Sequence, residues 1–160
     1  MTKVLFFSRG RGRGHAIPDL AIAAELARLA PELTVRFASY ATGLETLVEA
    51  GHAAVDLQLP DDAPYLELLV RAARVIAAEQ PDLVVSHEEF AALPAARTFG
   101  LPSVFVVDFF PSRDVWLESL RYADDILFIE RRGIFAEPAE LRGRVRYLGP
   151  VVRQDSPCTA

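Results

Sequence analysis

The chain has 160 residues, a formal net charge of −5 and a hydrophobic fraction of 51%, which suits one folded domain. The acidic balance disfavours nucleic-acid binding, which needs a basic surface, and the apolar content excludes a disordered chain. Apolar runs are far shorter than the roughly 20 residues needed to cross a bilayer, and the start of the chain lacks a secretory pattern. A single cysteine, Cys158, cannot form an internal disulfide. These features predict a cytoplasmic domain.

Short apolar runs alternate with longer helical patterns, which predicts parallel β–α–β units. In chain order the predicted elements are strand 3–8, helix 16–30, strand 33–39, helix 42–50, strand 54–59, helix 65–80, strand 83–86, helix 90–99, strand 103–107, an irregular aromatic stretch 108–122, strand 126–129 and strand 145–148. In the first helix, Ile22, Leu26 and Leu29 lie on one face, and Pro31 ends the helix. The nearly continuous apolar character of strands one, four and five predicts an α/β fold with a doubly wound parallel sheet, covered on both faces.

Ligands of such sheets bind beyond the carboxyl ends of the strands, where the strand order reverses. With a strand order of 3-2-1-4-5, this rule selects the loops 8–15, 86–90 and 108–113. The first loop carries Gly10, Gly12 and Gly14 at alternate positions. Glycine permits a sharp turn and the close approach of a ligand, and the amides at the start of the next helix favour an anion or a polar oxygen.

Two nucleotide-binding motifs do not fit this glycine loop. Its G-x-G-x-G spacing lacks the G-x-G-x-x-G fingerprint, and no acidic residue ends the second strand, which disfavours a dinucleotide-dependent oxidoreductase. The phosphate-binding G-x-x-x-x-G-K-[ST] pattern is also absent, since the only lysine is Lys3. A tight turn with solvated arginines is the remaining alternative to a ligand-binding loop.

The run Gly14, His15, Ala16, Ile17, Pro18 resembles the N-terminal, acceptor-binding half of GT-B glycosyltransferases. The resemblance is to inverting enzymes related to the peptidoglycan N-acetylglucosaminyltransferase that forms lipid II. Further segments carry it in the same order, at residues 37–40, 81–86, 100–104 and 145–151. It implies a Rossmann-like half of a GT-B fold over residues 1–151, with 152–160 as a tail or the start of an interdomain linker.

The resemblance also implies a function. The chain would bind the acceptor, a small molecule or a lipid-linked one, while a separate donor-binding domain or subunit holds a nucleotide sugar of the UDP or dTDP type. It would be inactive alone, and peripheral to the membrane if its acceptor is lipid-linked. We expect no metal site, no further cofactor and no nucleic-acid partner. A non-catalytic binding or scaffold subunit that recruits a catalytic partner is the alternative.

Inverting transfer needs a base that takes the proton of the acceptor hydroxyl, and histidine titrates near neutral pH. The resemblance implies that role for His15, whereas a structural role would be to hold the loop or cap the helix. A carboxylate would orient the ring. Glu88, Glu89 and Asp108 follow adjacent strands, and Asp108 is favoured as the catalytic partner because an apolar run precedes it. Glu88 and Glu89 could instead be acidic residues at a helix start.

Other side chains near these loops are candidates for ligand contacts. The residues expected to bind substrate are Gly12, Arg13, Gly14, Glu88 and Phe110. Arg9 and Arg11 are candidates for holding a phosphate, although solvated side chains are the alternative. His87 is either a second ligand contact or a structural histidine. An aromatic group follows the fifth strand and comprises Phe109, Phe110, Pro111, Trp116 and Leu117. It either packs as core, lines an apolar acceptor pocket, or contacts a membrane or a partner.

Overall fold

The structure, a computed structural model, describes residues 2–60, 62–110 and 114–151. The predicted tail at 152–160 and Pro111 of the aromatic group lie outside these ranges. The strands are β1 Lys3–Ser8, β2 Thr34–Ser39, β3 Ala54–Asp56, β4 Leu83–His87, β5 Ser103–Val107, β6 Asp125–Phe128 and β7 Val145–Tyr147. The α-helices are α1 Ala16–Leu29, α2 Ala41–Glu49, α3 Tyr65–Glu79, α4 Ala92–Thr98 and α5 Asp114–Ser119, and the 3-10 turns are Leu120–Tyr122 and Ala139–Leu141.

The strands form one parallel sheet in the order β3-β2-β1-β4-β5-β6-β7. Alternate residues of a strand point to opposite faces, so Leu5 and Phe7 of β1 join one hydrophobic cluster, and Val4 and Phe6 join another. This confirms the predicted doubly wound, Rossmann-like α/β fold with β1, β4 and β5 at its centre. No helix in the described part of the chain is long and apolar enough to span a membrane.

Helix α1 packs on the sheet mainly through residues near its start. Its buried residues are Ala16, Asp19, Leu20 and Ala23, and they include an acidic side chain. Leu29 is 64% exposed, and Ile22 and Leu26 are only partly buried. Ile22 packs against the same hydrophobic cluster as Ala16, Leu20 and Ala23, while the C-terminal end of α1 extends toward solvent.

The aromatic stretch predicted as irregular contains α5 and a 3-10 turn. The Trp116 ring stacks on Phe90 with the ring centroids 5.1 Å apart. Leu120 lies four residues later and is fully buried in the same hydrophobic cluster. This spacing is typical of one helical face, so packing against Phe90 explains why the stretch is helical.

Gly10 lies where a side chain has no room. A Cβ at Gly10 would be 2.3 Å from the Tyr40 carbonyl oxygen, whereas a Cβ at Gly14 would meet nothing within 4 Å. We therefore expect Gly10→Ala to lower the free energy of unfolding by about 1–3 kcal/mol, the usual cost of overpacking. The control Gly14→Ala should change it by less than about 0.5 kcal/mol. Urea denaturation measures both, and equal stabilities would contradict close packing of the loop on Tyr40.

Candidate active site

The predicted site loops meet at one edge of the sheet, where the strand order reverses between β1 and β4. Ser8 lies beside His87 in the register of these strands. The Arg9 amide donates to the His87 carbonyl at 3.2 Å, and the Glu88 amide donates to the Val106 carbonyl at 3.2 Å. The glycine loop, residues 8–15, is thus joined to the ends of β4 and β5.

His15 and Glu88 form the central contact of this edge. His15 Nε2–H donates to Glu88 Oε2 at 2.8 Å, and the two side chains are 15% and 0% exposed. Burial opposes ionisation of Glu88, but its hydrogen bonds with His15 and Asp108 outweigh burial and lower the pKa of Glu88. Glu88 is therefore an ionised carboxylate that orients the His15 ring. His15 makes no side-chain hydrogen bond that caps α1, so it does not act as a cap.

Asp108, the carboxylate favoured from the sequence, contacts Glu88 and not His15. Its amide donates to Glu88 Oε1 at 3.4 Å, and the two carboxyl groups are also hydrogen-bonded. Burial, and then the hydrogen bond and charge of Glu88, raise the pKa of Asp108 to about 6. The preceding apolar run indicated burial at Asp108, but Glu88 is the more buried group, with 1% of its surface exposed.

Arg9 faces the site carboxylate rather than solvent. Its Nη1 lies 3.5 Å from Glu88 Oε2, the same oxygen that accepts from His15, and its side chain is 13% exposed. The guanidinium carbon lies 5.1 Å from the centroid of the Trp116 ring. Arg13 is exposed and pairs with Glu49 at 3.5 Å, and Arg11 is exposed in the same loop. Arg9 is thus placed to balance the charge of Glu88, whereas Arg11 and Arg13 lie at the exposed edge of the site.

The two nitrogens of the His15 ring have different surroundings. Nε2 is engaged by Glu88, while Nδ1 is buried and has no hydrogen-bond partner among the described residues. When Nε2 carries the proton, Nδ1 holds the free lone pair. An acceptor hydroxyl can therefore reach the basic nitrogen only if the ring turns or the glycine loop opens.

An open cleft of about 370 Å³ lies next to this cluster, lined by Asp108, Phe109, Glu130, Ile134 and Phe135. Its walls combine aromatic and aliphatic surface with two carboxyl groups. Glu130, Ile134 and Phe135 were missed from the sequence because they follow β6 in a segment without a recognisable motif. Such a cleft could accept an apolar molecule that carries hydroxyl groups.

Phe110 is not among the residues that line that cleft. Its ring stacks on Phe128 with centroids 4.6 Å apart, and it packs against the hydrophobic cluster that also receives Trp116 and Leu117. Of the aromatic group, Phe109 therefore lines the cleft, whereas the other three side chains are partly buried and pack against the core.

Glu89, a candidate partner of His15 from the sequence, is a buried acid next to Arg9 and Tyr40. Burial raises its pKa to about 7, although Arg9 and the Tyr40 hydroxyl hydrogen bond favour the charged form. In the unfolded chain the group loses its proton near the ordinary value of 4.5. Between these two values the folded state binds more protons, so stability falls as pH rises.

We expect Glu89 to lower the free energy of unfolding by about 3 kcal/mol as pH rises from 4.5 to 7, because each pKa unit corresponds to about 1.4 kcal/mol. Glu89→Gln should remove the contribution of Glu89 to the pH dependence of stability. The exposed Glu49→Gln should keep it. Asp108 and His87 also have raised pKa values, but both remain in the two variants. Urea unfolding at several pH values gives the slopes, and the same slope in Glu89→Gln and the wild type would contradict the expectation.

The sheet is similar to one half of the GT-B glycosyltransferase fold, as the following solved structures show. No family model matches the chain. Among solved structures, it is similar to MurG of Acinetobacter baumannii, with 18% identity, a TM-score of 0.67 and coverage of 94% of this chain and 46% of that one. It is also similar to a UDP-GlcNAc 2-epimerase from Neisseria meningitidis bound to UDP-GlcNAc, with 17% identity, a TM-score of 0.64 and coverage of 81% and 41%.

A third similar structure is CalG4, the calicheamicin glycosyltransferase, with 16% identity, a TM-score of 0.63 and coverage of 93% of this chain and 53% of that one. At these identities the likeness shows the fold alone. The chain spans about half the length of the structures that it matches. In residues 2–60, 62–110 and 114–151, no group of three His, Cys, Asp or Glu side chains is arranged to hold a metal ion.

Proposed function

We propose that residues 1–151 form the acceptor-binding half of an inverting glycosyltransferase. A separate donor-binding domain would hold a nucleotide sugar, of the UDP or dTDP type, across a cleft. The observation that carries this proposal is the hydrogen bond between His15 and the buried, ionised Glu88 at the sheet edge where ligands of this fold class bind. A histidine oriented by a carboxylate is a suitable general base at neutral pH.

The residues of the chain can perform one half of the reaction. The acceptor oxygen attacks the anomeric carbon while the bond from that carbon to the nucleotide diphosphate breaks, and the diphosphate leaves with the electron pair. His15 takes the hydroxyl proton at Nδ1, and Glu88 stabilises the imidazolium that forms. Asp108 supports Glu88 through their hydrogen bond. Arg9 holds the same carboxylate oxygen from the other side.

The surrounding surface suits an acceptor. The cleft beside Asp108 and Phe109 would hold its apolar part, and the exposed Gly12, Arg13 and Gly14 would face the donor side. Arg11 lies at the exposed edge of the loop, where it would contact a phosphate. Because the fold also occurs in a UDP-GlcNAc 2-epimerase, the choice of transfer over epimerisation rests on the Gly14, His15 run. A lipid-linked acceptor would place the chain at the cytoplasmic membrane surface.

The burial of His15 Nδ1 favours a second candidate function. In that case the His15–Glu88 pair is structural, and the chain is a binding or scaffold subunit that presents an acceptor to a catalytic partner. The two functions can be separated by an assay of sugar transfer from UDP and dTDP sugars. The assay contains the chain together with a complementing donor-domain chain. Transfer that depends on His15 supports the base, and transfer that survives its replacement supports the scaffold.

A further inference from the structure

The described residues contain five buried side-chain polar atoms without a hydrogen-bond partner among those residues, and four of them belong to one cluster. They are Ser8 Oγ, His15 Nδ1, Asp19 Oδ2 and His87 Nε2. Ser8 and His87 are neighbours across β1 and β4. The rings of His15 and His87 meet edge to face with centroids 4.9 Å apart. We call these four residues the buried polar cluster.

His87 and Asp19 form an ion pair at the centre of this cluster. His87 Nδ1–H donates to Asp19 Oδ1 at 2.6 Å, and both side chains are 0% exposed. Burial opposes a charged ring, but the carboxylates of Asp19, Glu88 and Asp108 outweigh burial, so the pKa of His87 is raised. Asp19 lies four residues after His15, which places both on one face of α1. His87 therefore contacts two successive turns of the same helix.

The unpartnered atoms offer a mixed set of hydrogen-bonding groups. Asp19 Oδ2 accepts, His15 Nδ1 accepts while Nε2–H donates to Glu88, His87 Nε2 donates when the ring is charged, and the Ser8 hydroxyl does both. Buried polar groups in native proteins are normally satisfied, often by ordered water that makes two to four hydrogen bonds. A bare anion would be repelled by Asp19, and a metal cation would leave the donors unsatisfied. The mixture suits a neutral molecule that both donates and accepts.

We propose that Asp19 and His87 are positioning residues for His15, which they hold through ordered water bound by the buried polar cluster. This proposal rests on the proposed function in one respect, the role of His15 as the base. With water at Nδ1 and Glu88 at Nε2, the ring has an anchor at each nitrogen and is kept in one tautomer. An acceptor hydroxyl has the donor and acceptor groups of water, so it can take the water's place when the loop opens.

Nuclear magnetic resonance of the full, isotope-labelled chain tests this without a transferase assay. In the wild type we expect cross-relaxation between a long-lived water and the ring protons of His15 and His87, and ¹⁵N shifts that place the His15 proton on Nε2 alone. Asp19→Asn and His87→Gln should remove the water contact and shift the ¹⁵N resonance of His15 Nδ1, while Glu88 keeps the proton on Nε2. His52→Gln is the matched control, because His52 packs on Phe37 outside the cluster, and it should change neither signal.

Two results would overturn the proposal. One is the absence of a long-lived water contact in the wild type, which needs no variant to fold. The other is an unchanged ¹⁵N resonance of His15 Nδ1 in a folded Asp19→Asn or His87→Gln chain. In the assembled transferase, these variants should lower kcat with KM unchanged. If no transfer is found with any donor partner, the proposed function fails, while the resonance measurements still decide the role of the cluster.

Discussion

Replacement of His15 by alanine should lower the turnover of the assembled transferase by roughly 10²–10⁴-fold, the usual contribution of a general base. The variant keeps the cleft but has no group to take the hydroxyl proton. The measurement is kcat at saturating acceptor and donor, with His52→Ala as the control because His52 lies outside the site. A folded variant with near wild-type turnover would remove His15 from the mechanism.

The same variant should also be less stable. From the sequence, a loop histidine is expected to cost little when it is replaced. In the structure the His15 ring is mostly buried and donates to a buried carboxylate, and removing one partner of such a pair costs about 1–3 kcal/mol. Arg9 and Asp108 remain bound to Glu88, which should keep the loss in this range. Thermal unfolding measures this loss, and it should leave the fold intact under assay conditions.

Addition of a cognate donor-domain chain should create nucleotide-sugar binding and sugar transfer together. The chain alone should bind UDP-GlcNAc weakly or not at all, because it spans about half the length of the structures it matches. A base without a positioned donor also lacks proximity, which in well-oriented reactions corresponds to effective molarities of about 10⁵ M or more.

Calorimetry with UDP-GlcNAc and a dTDP sugar, on the chain with and without the donor-domain chain, checks this expectation. A chain preparation unfolded by urea serves as the control for non-specific heat. Tight, stoichiometric binding of a nucleotide sugar by the isolated chain would mean that the donor site is here, and the half-enzyme proposal would be wrong.

The fold could be predicted from local patterns because each strand has its own signal. Val4, Leu5 and Phe6 are fully buried in β1, as their uninterrupted apolar run indicates for a strand covered on both faces. The helix at 114–119 was missed, although Trp116 and Leu120 lie at helical spacing. That signal was masked by the aromatic composition of the segment, which suggested an irregular loop.

The site could be predicted only in part, because its contacts join distant segments. Glu88 lies 73 residues from His15 in the sequence, and Asp19 lies 68 residues from His87. The topology rule predicted that the loops after β1, β4 and β5 meet at one edge of the sheet, and the loops after β1 and β4 do meet there. Glu88 has a left-handed backbone, with φ at +55°. This conformation is uncommon for residues other than glycine, so the sequence did not indicate that Glu88 rather than Asp108 would contact His15.

The packing of Gly10 sets how the glycine loop can move. Gly10 accepts a hydrogen bond from the Gly43 amide at 3.0 Å, and α2 lies directly against it. Gly12 and Gly14, in contrast, are exposed. The glycine loop is therefore anchored to α2 at Gly10, while its residues nearest His15 lie at the surface. Any opening of the loop that exposes His15 has to occur on the Gly12–Gly14 side of this anchor, where added volume meets no neighbouring atoms.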